Sequence, residues 1–529
     1  MKPRVPGAFG STTSKAASGR FRAWCSNLDH QLALLIVLFT LPLSLPALYG
    51  FFTFDDLMNL HYYVQRPWLS ALSNLIVFTS LHRPLGALLY LPLYLTAGLV
   101  SWPYYLVGIL VFSLNILLTF RIFLRLTGNR FVTVLATALF ALHPMIHNVL
   151  YNFGAVYELT CLALVEASLL RFLRWWEQAR DNSTPPSRPA GEHSRTVLTG
   201  SIPLGSFSRR DYILSFLFFL AALNAKETAV TLPGILFAYL WIYGPRTERV
   251  LARIQSCLKP VAPFLLVTIP YALAKAMGSE AYWRDNPLYA YHFDSSIFPR
   301  LARYLDLVSN DELSFSVSTA LLAIGATLAL GVWFKNRHVL FGLCWAGLFL
   351  LPVLPLPRVW ELFLYLPLVG FTLATSALIF QVGRTMARFA IPARWYRIRF
   401  GHWTSLALTA LCLFRLLGAM TPDVDRSRRT LYQERNPSWQ PFAEQLHELF
   451  STLPPDCTVA FVAPPFDPDS EERWCLNFLV WLSYGNTVRV LRLPQDQSRF
   501  DAAVQRGVRV RVLRWDGRRL RPIRPDQVP

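Results

Sequence analysis

Apolar residues along this chain gather into blocks of about 17–21, the length a helix rising 1.5 Å per residue needs to cross a ~30 Å hydrocarbon core. The first block is roughly Leu32–Gly50. Further blocks lie near Tyr104–Phe120, Phe131–Leu150, Ala155–Leu173, Val261–Ala276, 315–334, 338–353, 361–382 and 403–420. The stretch 211–246 is overlong for one crossing and carries Lys226–Glu227 in its middle. Beyond 420 the pattern changes. "CTVAFVAP", "TVRVLRL" and "VRVRVLRW" alternate with the period of half-buried strands, and "WQPFAEQLHELFSTL" has helical spacing. The pattern predicts a polytopic α-helical membrane protein followed by a small α/β domain over 421–529.

Basic loops orient the spans. The N-terminal segment 1–31 holds Lys2, Arg4, Lys15, Arg20 and Arg22, which places it inside and sends 51–103 outside. No small-residue cleavage pattern follows the first block, so it reads as a retained span. Arg121, Arg125 and Arg130 belong inside after the second span. The segment 83–100, with Pro84, Pro92 and Gly98, therefore reads as an interfacial or re-entrant helix on the outer side. The Pro/Ser-rich loop 174–210 is then cytoplasmic. Dividing 211–246 into two short spans, with Lys226–Glu227 at the outer turn, keeps the arginine-rich loop 383–402 inside and 277–313 outside. The result is a transmembrane domain over 32–420 with about eleven spans, outer-face juxtamembrane helices and an external C-terminal domain.

Composition sharpens this reading. The 529 residues are 53% apolar and 16% charged, with a formal net charge of +19. Much of the excess sits in short loops between spans, where membrane topology accounts for it, so nucleic acid is not the expected partner. Of the seven cysteines, Cys457 and Cys475 are the pair in the C-terminal part, and an oxidising compartment would allow a bridge between them.

The orientation gathers the unusual polar residues on the outer side. Asp55 and Asp56 follow the first span within an aromatic cluster, and His82 and Arg83 close the same loop. His143, His147, Asn148 and Asn152 lie where the third span exits, and Tyr157 and Glu158 where the fourth enters. Lys226 with Glu227 and Arg358 with Glu361 complete the set. Ionisable residues at membrane depth are costly and point to function. Each has a structural alternative: helix capping for Asp55 and Asp56, a satisfied pair for the histidines, and local ion pairs for Lys226–Glu227 and Arg358–Glu361. The chemistry that fits is sugar transfer from a polyprenyl-phosphate donor. Lys or Arg near the interface would stabilise the leaving phosphate, and a carboxylate would take the acceptor proton. One Asp suffices for an inverting displacement; the second would position the sugar or help hold a divalent cation such as Mg or Mn. The acceptor, whether glycan, lipid or protein, is left open.

Five motifs stand in order over residues 51–371: "FTFDD", "HRPLGALLYLPLY", "LFALHPMIHNV", "LNAKETAVTLP" and "ELFLYLPLVGF". Together they resemble the GT-C glycosyltransferase superfamily, and within it the transmembrane protein O-mannosyltransferases that usually carry tetratricopeptide repeats. The resemblance implies a GT-C bundle with juxtamembrane helices in loop one, a polyprenyl-phosphate sugar donor and a first-loop acid as the catalytic residue, Asp55 or Asp56. The site assigned on this basis comprises Asp55 and Asp56, with Arg83, Lys226, Glu227, Arg358, Glu361, Glu158, His82 and His143 around the donor. Departures are Asn148 where the family has an acid, Val156 where it has an arginine, Leu362 for the arginine of its "ERYLYLP" segment, and no tetratricopeptide repeats. Arg358 lies four residues before Leu362 on the same helical face. The competing readings are an inactive relative serving as a binding or assembly subunit, and an envelope glycan transporter or polymerase. A transporter needs a polar path through the bilayer. The expected location is a bacterial inner membrane with the site on the periplasmic side.

Overall fold

The computed structural model describes residues 28–66, 83–183, 206–245, 249–277, 290–390 and 438–528, apart from 455, 470 and 471, together with 411, 414, 418 and 422. The expected eleventh span, 403–420, lies outside the continuously described residues.

The membrane part is helical. In chain order it holds α1 (Leu28–Ser44), α2 (Phe54–Val64), α3 (Pro84–Ala97), α4 (Trp102–Thr127), α5 (Arg130–Ala141), the short α6 (Ile146–Leu150), α7 (Val156–Ser183) and α8 (Ser206–Ala225). There follow α9 (Leu232–Tyr243), α10 (Val250–Met277), α11 (Ile297–Val308), α12 (Val317–Trp333), α13 (Arg337–Leu350) and α14 (Tyr365–Ala390). Among the described residues, five segments are long and apolar enough to cross a membrane: Leu28–Tyr49, Trp102–Thr127, Phe153–Arg180, Val250–Ala274 and Glu361–Met386. These mark the chain as an integral membrane protein.

Side-chain pairing sorts the helix ends into two groups. At one end Arg130 pairs with Asp29, Arg125 with Glu177, Arg171 with Asp211, and Tyr243 with His338. These bonds bring the starts of α1, α5, α8 and α13 together with the C-terminal parts of α4, α7 and α9. At the other end Asn152 meets Asp55, Arg83 meets Glu227, Lys226 meets Glu158 and Asn148 meets Glu361. α8 and α9 therefore run in opposite directions, and the chain reverses at Lys226. Helices α13 and α14 pack backbone to backbone. A Cβ added at Gly342 would lie 2.5 Å from Gly370 O, and one at Gly370 would lie 2.4 Å from Gly342 O.

Several boundaries depart from expectation. The block Phe131–Leu150 is not one helix. α5 stops at Ala141 because Pro144 has no N–H to give and disfavours helical backbone at His143. The segment expected as loop 174–210 is helical to Ser183, the external loop 277–313 contains α11, and α14 runs on to Ala390 inside the expected loop 383–402. α3 has 14 residues, short of the ~20 a crossing needs.

The C-terminal part is an α/β unit: α15 (Trp439–Leu449), β1 (Thr458–Val462), α16 (Arg473–Tyr484), β2 (Arg489–Leu493), α17 (Gln497–Gln505), β3 (Val510–Trp515) and β4 (Leu520–Ile523). The sheet order is β2-β1-β3-β4, parallel across the first three and antiparallel at β4. The three alternating stretches form β1, β2 and β3; β4 escaped the sequence reading because Pro522 interrupts a run of only four residues. Cys457 and Cys475 are both buried and are not joined to each other. The Cys457 thiol instead donates to Arg509 O at 3.4 Å, so the anticipated bridge is corrected.

Candidate functional site

The first turn of α2 carries both acidic residues, and local chemistry gives them different work. Thr53 is the N-cap: its Oγ1 accepts from Asp56 N at 3.2 Å, while Asp56 Oδ2 accepts from Thr53 N at 2.7 Å. This capping box satisfies backbone donors that a helix start leaves open. Asp56 Oδ2 also accepts from Tyr105 Oη at 3.3 Å, and Oδ1 accepts from Gly154 N at 2.5 Å. Asp56 is fully buried and both its oxygens are engaged. It is a structural cap, and the sequence alternative of helix capping holds for it.

Asp55 remains half-buried at the surface of the site. Its Oδ2 accepts from Asn152 Nδ2 at 3.3 Å. Asn152 is itself fixed, with Oδ1 accepting from Thr53 Oγ1 at 3.1 Å and from Gly154 N at 2.9 Å. Gly154 allows this approach, since a Cβ there would stand 2.8 Å from Asp55 Cβ. Asn59 Nδ2 donates to Asp55 O at 2.7 Å, and Tyr157 Oη donates to Asn59 Oδ1 at 3.2 Å. Tyr63 Oη donates to Arg83 O at 2.8 Å, which ties α2 to the start of α3. The sequence reading passed over Asn59 and Tyr105 and took Tyr63 only as part of the aromatic cluster. Helical spacing from Asp55 was the available signal for Asn59 and Tyr63, and a hydroxyl in an apolar setting the signal for Tyr105 on α4.

The cations behind Asp55 are arranged differently from the sequence pairing. Lys226 does not pair with its neighbour; it meets Glu158 at the start of α7, both side chains being buried. Its Nζ stands 5.2 Å over the Phe363 ring, and Arg83, Glu227 and Asp55 lie within its electrostatic reach. Glu227 instead receives a forked contact from Arg83, Nη2–Oε2 3.1 Å and Nε–Oε1 3.4 Å, while the guanidinium carbon lies 4.7 Å over the Tyr157 ring. Nor do Arg358 and Glu361 form the helix-end pair that was the structural alternative to a phosphate clamp. Glu361 accepts from Asn148. Arg358 is exposed, 5.0 Å over Trp360, with no carboxylate partner among the described residues. His143 does not join the site. It is buried, one ring nitrogen 3.0 Å from Val308 O and the other accepting from Met145 N at 3.3 Å, because the break at Pro144 turns it toward α11. His82 lies outside the described residues.

Among the described residues no three His, Cys, Asp or Glu side chains cluster as ligands, and the oxygens of Asp56 are committed to Thr53, Gly154 and Tyr105. Asp55 offers one carboxylate, and a Mg ion takes one or two from protein together with substrate phosphates. Between the two ends, Glu166 on α7 is a buried carboxyl that the sequence reading missed. Thr119 Oγ1 donates to its Oε1 at 2.5 Å. An acid inside "LALVEASLL" was visible in the sequence. Among the described residues no ion pair links it to either end.

No family model matches the chain, and no curated protein matches it by sequence. Three solved structures are similar in chain path. One is ArnT from Cupriavidus metallidurans bound to undecaprenyl phosphate, at 12% identity over 91% of this chain and 93% of that one, TM-score 0.46. The second is the oligosaccharyltransferase AglB from Archaeoglobus fulgidus in complex with an inhibitory peptide and a dolichol-phosphate, at 12% identity over 93% of this chain and 70% of that one, TM-score 0.46. The third is the Archaeoglobus fulgidus oligosaccharyltransferase in its apo form, at 11% identity over 93% and 70%, TM-score 0.48. At these TM-scores the likeness lends no weight to the assignment of the site, which rests on its own geometry.

Proposed function

We propose that this chain is a membrane glycosyltransferase that moves a sugar from a polyprenyl-phosphate-linked donor to an acceptor hydroxyl, with Asp55 as base. The observation that carries the reading is the division of labour in "DD": Asp56 is consumed by its own helix, while Asp55 is held by Asn152 at the end where the cations gather. The acceptor oxygen attacks the anomeric carbon as the carbon–oxygen bond to phosphate breaks. The acceptor proton passes to Asp55, and the bonding pair leaves with the phosphate. A single displacement inverts the anomeric configuration. Arg358 is the cation for the leaving phosphate, because it has no carboxylate partner among the described residues, whereas Arg83 and Lys226 are compensated by Glu227 and Glu158. Those two pairs bias the field around Asp55. No step is routed through a metal.

The site faces outside and the C-terminal domain lies on the same side. The test incubates purified protein with a panel of polyprenyl-phosphate sugars and candidate acceptors and follows release of polyprenyl phosphate. Asp55→Asn should lose about 10²–10⁴-fold in turnover at unchanged donor binding, the usual worth of a general base. A variant as active as wild type would remove Asp55 from the chemistry. Donor binding without turnover in wild type across the panel would favour the inactive-relative reading.

A further inference from the structure

The helix that carries Asp55 has two packed faces. Leu57, Leu60 and Tyr63 are buried on the membrane side. Phe54 and His61, seven residues apart and so on one face, look the other way. There they meet α16 of the C-terminal domain. His61 lies between two rings of that helix, 5.2 Å from Phe478 and 5.2 Å from Trp481. Its Nε2 is 2.9 Å from Asn486 Oδ1, the geometry of an imidazole N–H donating to the amide oxygen. Phe54, the residue before Asp55, packs 6.1 Å from Phe478. A second anchor joins the same helix to α3, where Tyr94 Oη donates to Leu482 O at 2.7 Å. Trp481 is held from behind by Nε1 donating to Val488 O at 3.0 Å. One apolar cluster runs without a break from Leu57 and Tyr90 to Leu479 and Val480.

An eleven-residue helix is too short to hold its shape alone, since isolated helices below ~12–15 residues are marginal. What sets the place of Asp55 is therefore the pair of surfaces that clamp α2. We infer that the C-terminal domain is a positioning element for the base: Phe478, Trp481 and Asn486 hold α2 through His61 and Phe54 in the register where Asp55 meets Asn152. The inference rests on the proposed transferase reading. It gives the C-terminal domain a part in catalysis although none of its residues touches the reacting atoms.

The test uses the full chain. Trp481→Ala and His61→Ala, on opposite sides of the contact, should each lower kcat about tenfold while KM for the lipid donor stays within about twofold, the pattern of a misplaced catalytic group. Combined, they should cost little more than either alone. Trp481→Phe, which keeps a ring beside His61, should recover most of the rate. In parallel, amide hydrogen exchange of residues 57–64 should quicken in both alanine variants. Unchanged exchange would show that the domain does not hold α2, and quickened exchange with unchanged kcat would show that the hold is irrelevant to Asp55; either overturns the inference. If wild type turns over no donor, the transferase reading fails. The exchange data still report whether α16 clamps α2, which separates the two failures.

Discussion

A fully buried carboxylate that accepts from Thr53 N, Gly154 N and Tyr105 Oη binds folding to pH. Burial pushes the Asp56 carboxyl up from the ordinary 3.8 to about 6, and the adjacent Asp55 charge adds to the rise against the hydrogen bonds from Thr53 and Gly154. The sign follows from proton counting. Between about 4 and about 6 the folded state keeps a proton that the unfolded chain has released, so stability falls as pH rises through that window. Below the window the contribution is full; above it, it is gone, a change on the order of 3 kcal/mol. Thermal unfolding in detergent from pH 4 to 7 should show this slope in wild type and lose it in Asp56→Asn. That variant should also melt lower at every pH, because an amide turned toward backbone donors breaks the cap at a cost of about 1–3 kcal/mol. A slope that persists in Asp56→Asn would assign it to another group. The sequence offered a helix start as one alternative for both acids but could not separate them, since the partners that do so, Tyr105 on α4 and Gly154 just before α7, lie about fifty and a hundred positions away.

At the scale of elements, the crossing of α13 and α14 is made by glycine. Gly342 and Ala346 on α13 face Gly370 and Ala374 on α14, a small-xxx-small pairing on each helix. A methyl at Gly370 would meet Gly342 O at 2.4 Å and Ala346 N at 2.6 Å, both backbone atoms that no rotamer change can move. Gly370→Ala should therefore part the helices and destabilise by about 1–3 kcal/mol, and Gly342→Ala should do the same without adding to it fully. Gly347, with open space around its would-be Cβ, is the control: Gly347→Ala should be neutral or slightly stabilising. Equal melting temperatures for Gly370→Ala and Gly347→Ala would refute the crossing argument. Such pairings mark what the sequence left unread. Apolar block length and basic flanks placed most helices, and proline explained the end of α5. Which glycine meets which, and that Lys226 reaches Glu158 rather than Glu227, depends on tertiary packing that no spacing rule encodes.

For the whole molecule, the two ends differ in charge as well as in content. Arg125, Arg130, Arg171, Arg174, Arg337 and Arg384 gather at one end with Asp29, Glu177 and Asp211. Asp55, Asp56, Glu158, Glu227 and Glu361 gather at the other with Arg83, Lys226 and Arg358. Basic residues are retained on the cytoplasmic side, so this partition predicts the arginine end inside and the Asp55 end outside. The same partition follows from loop charges in the sequence, and the folded arrangement adds that helices far apart in the chain agree on it. A membrane-impermeant thiol reagent reads it directly. Phe293 is 81% exposed near the Asp55 end, and Arg337 is exposed at the arginine end. In intact cells or spheroplasts Phe293→Cys should be labelled and Arg337→Cys should not, each compared with the unaltered chain; after permeabilisation both should react. The reverse pattern would turn Asp55 toward the cytoplasm. The acceptor would then have to be a cytoplasmic molecule, and the external-face reading would be lost while the chemistry at Asp55 stood.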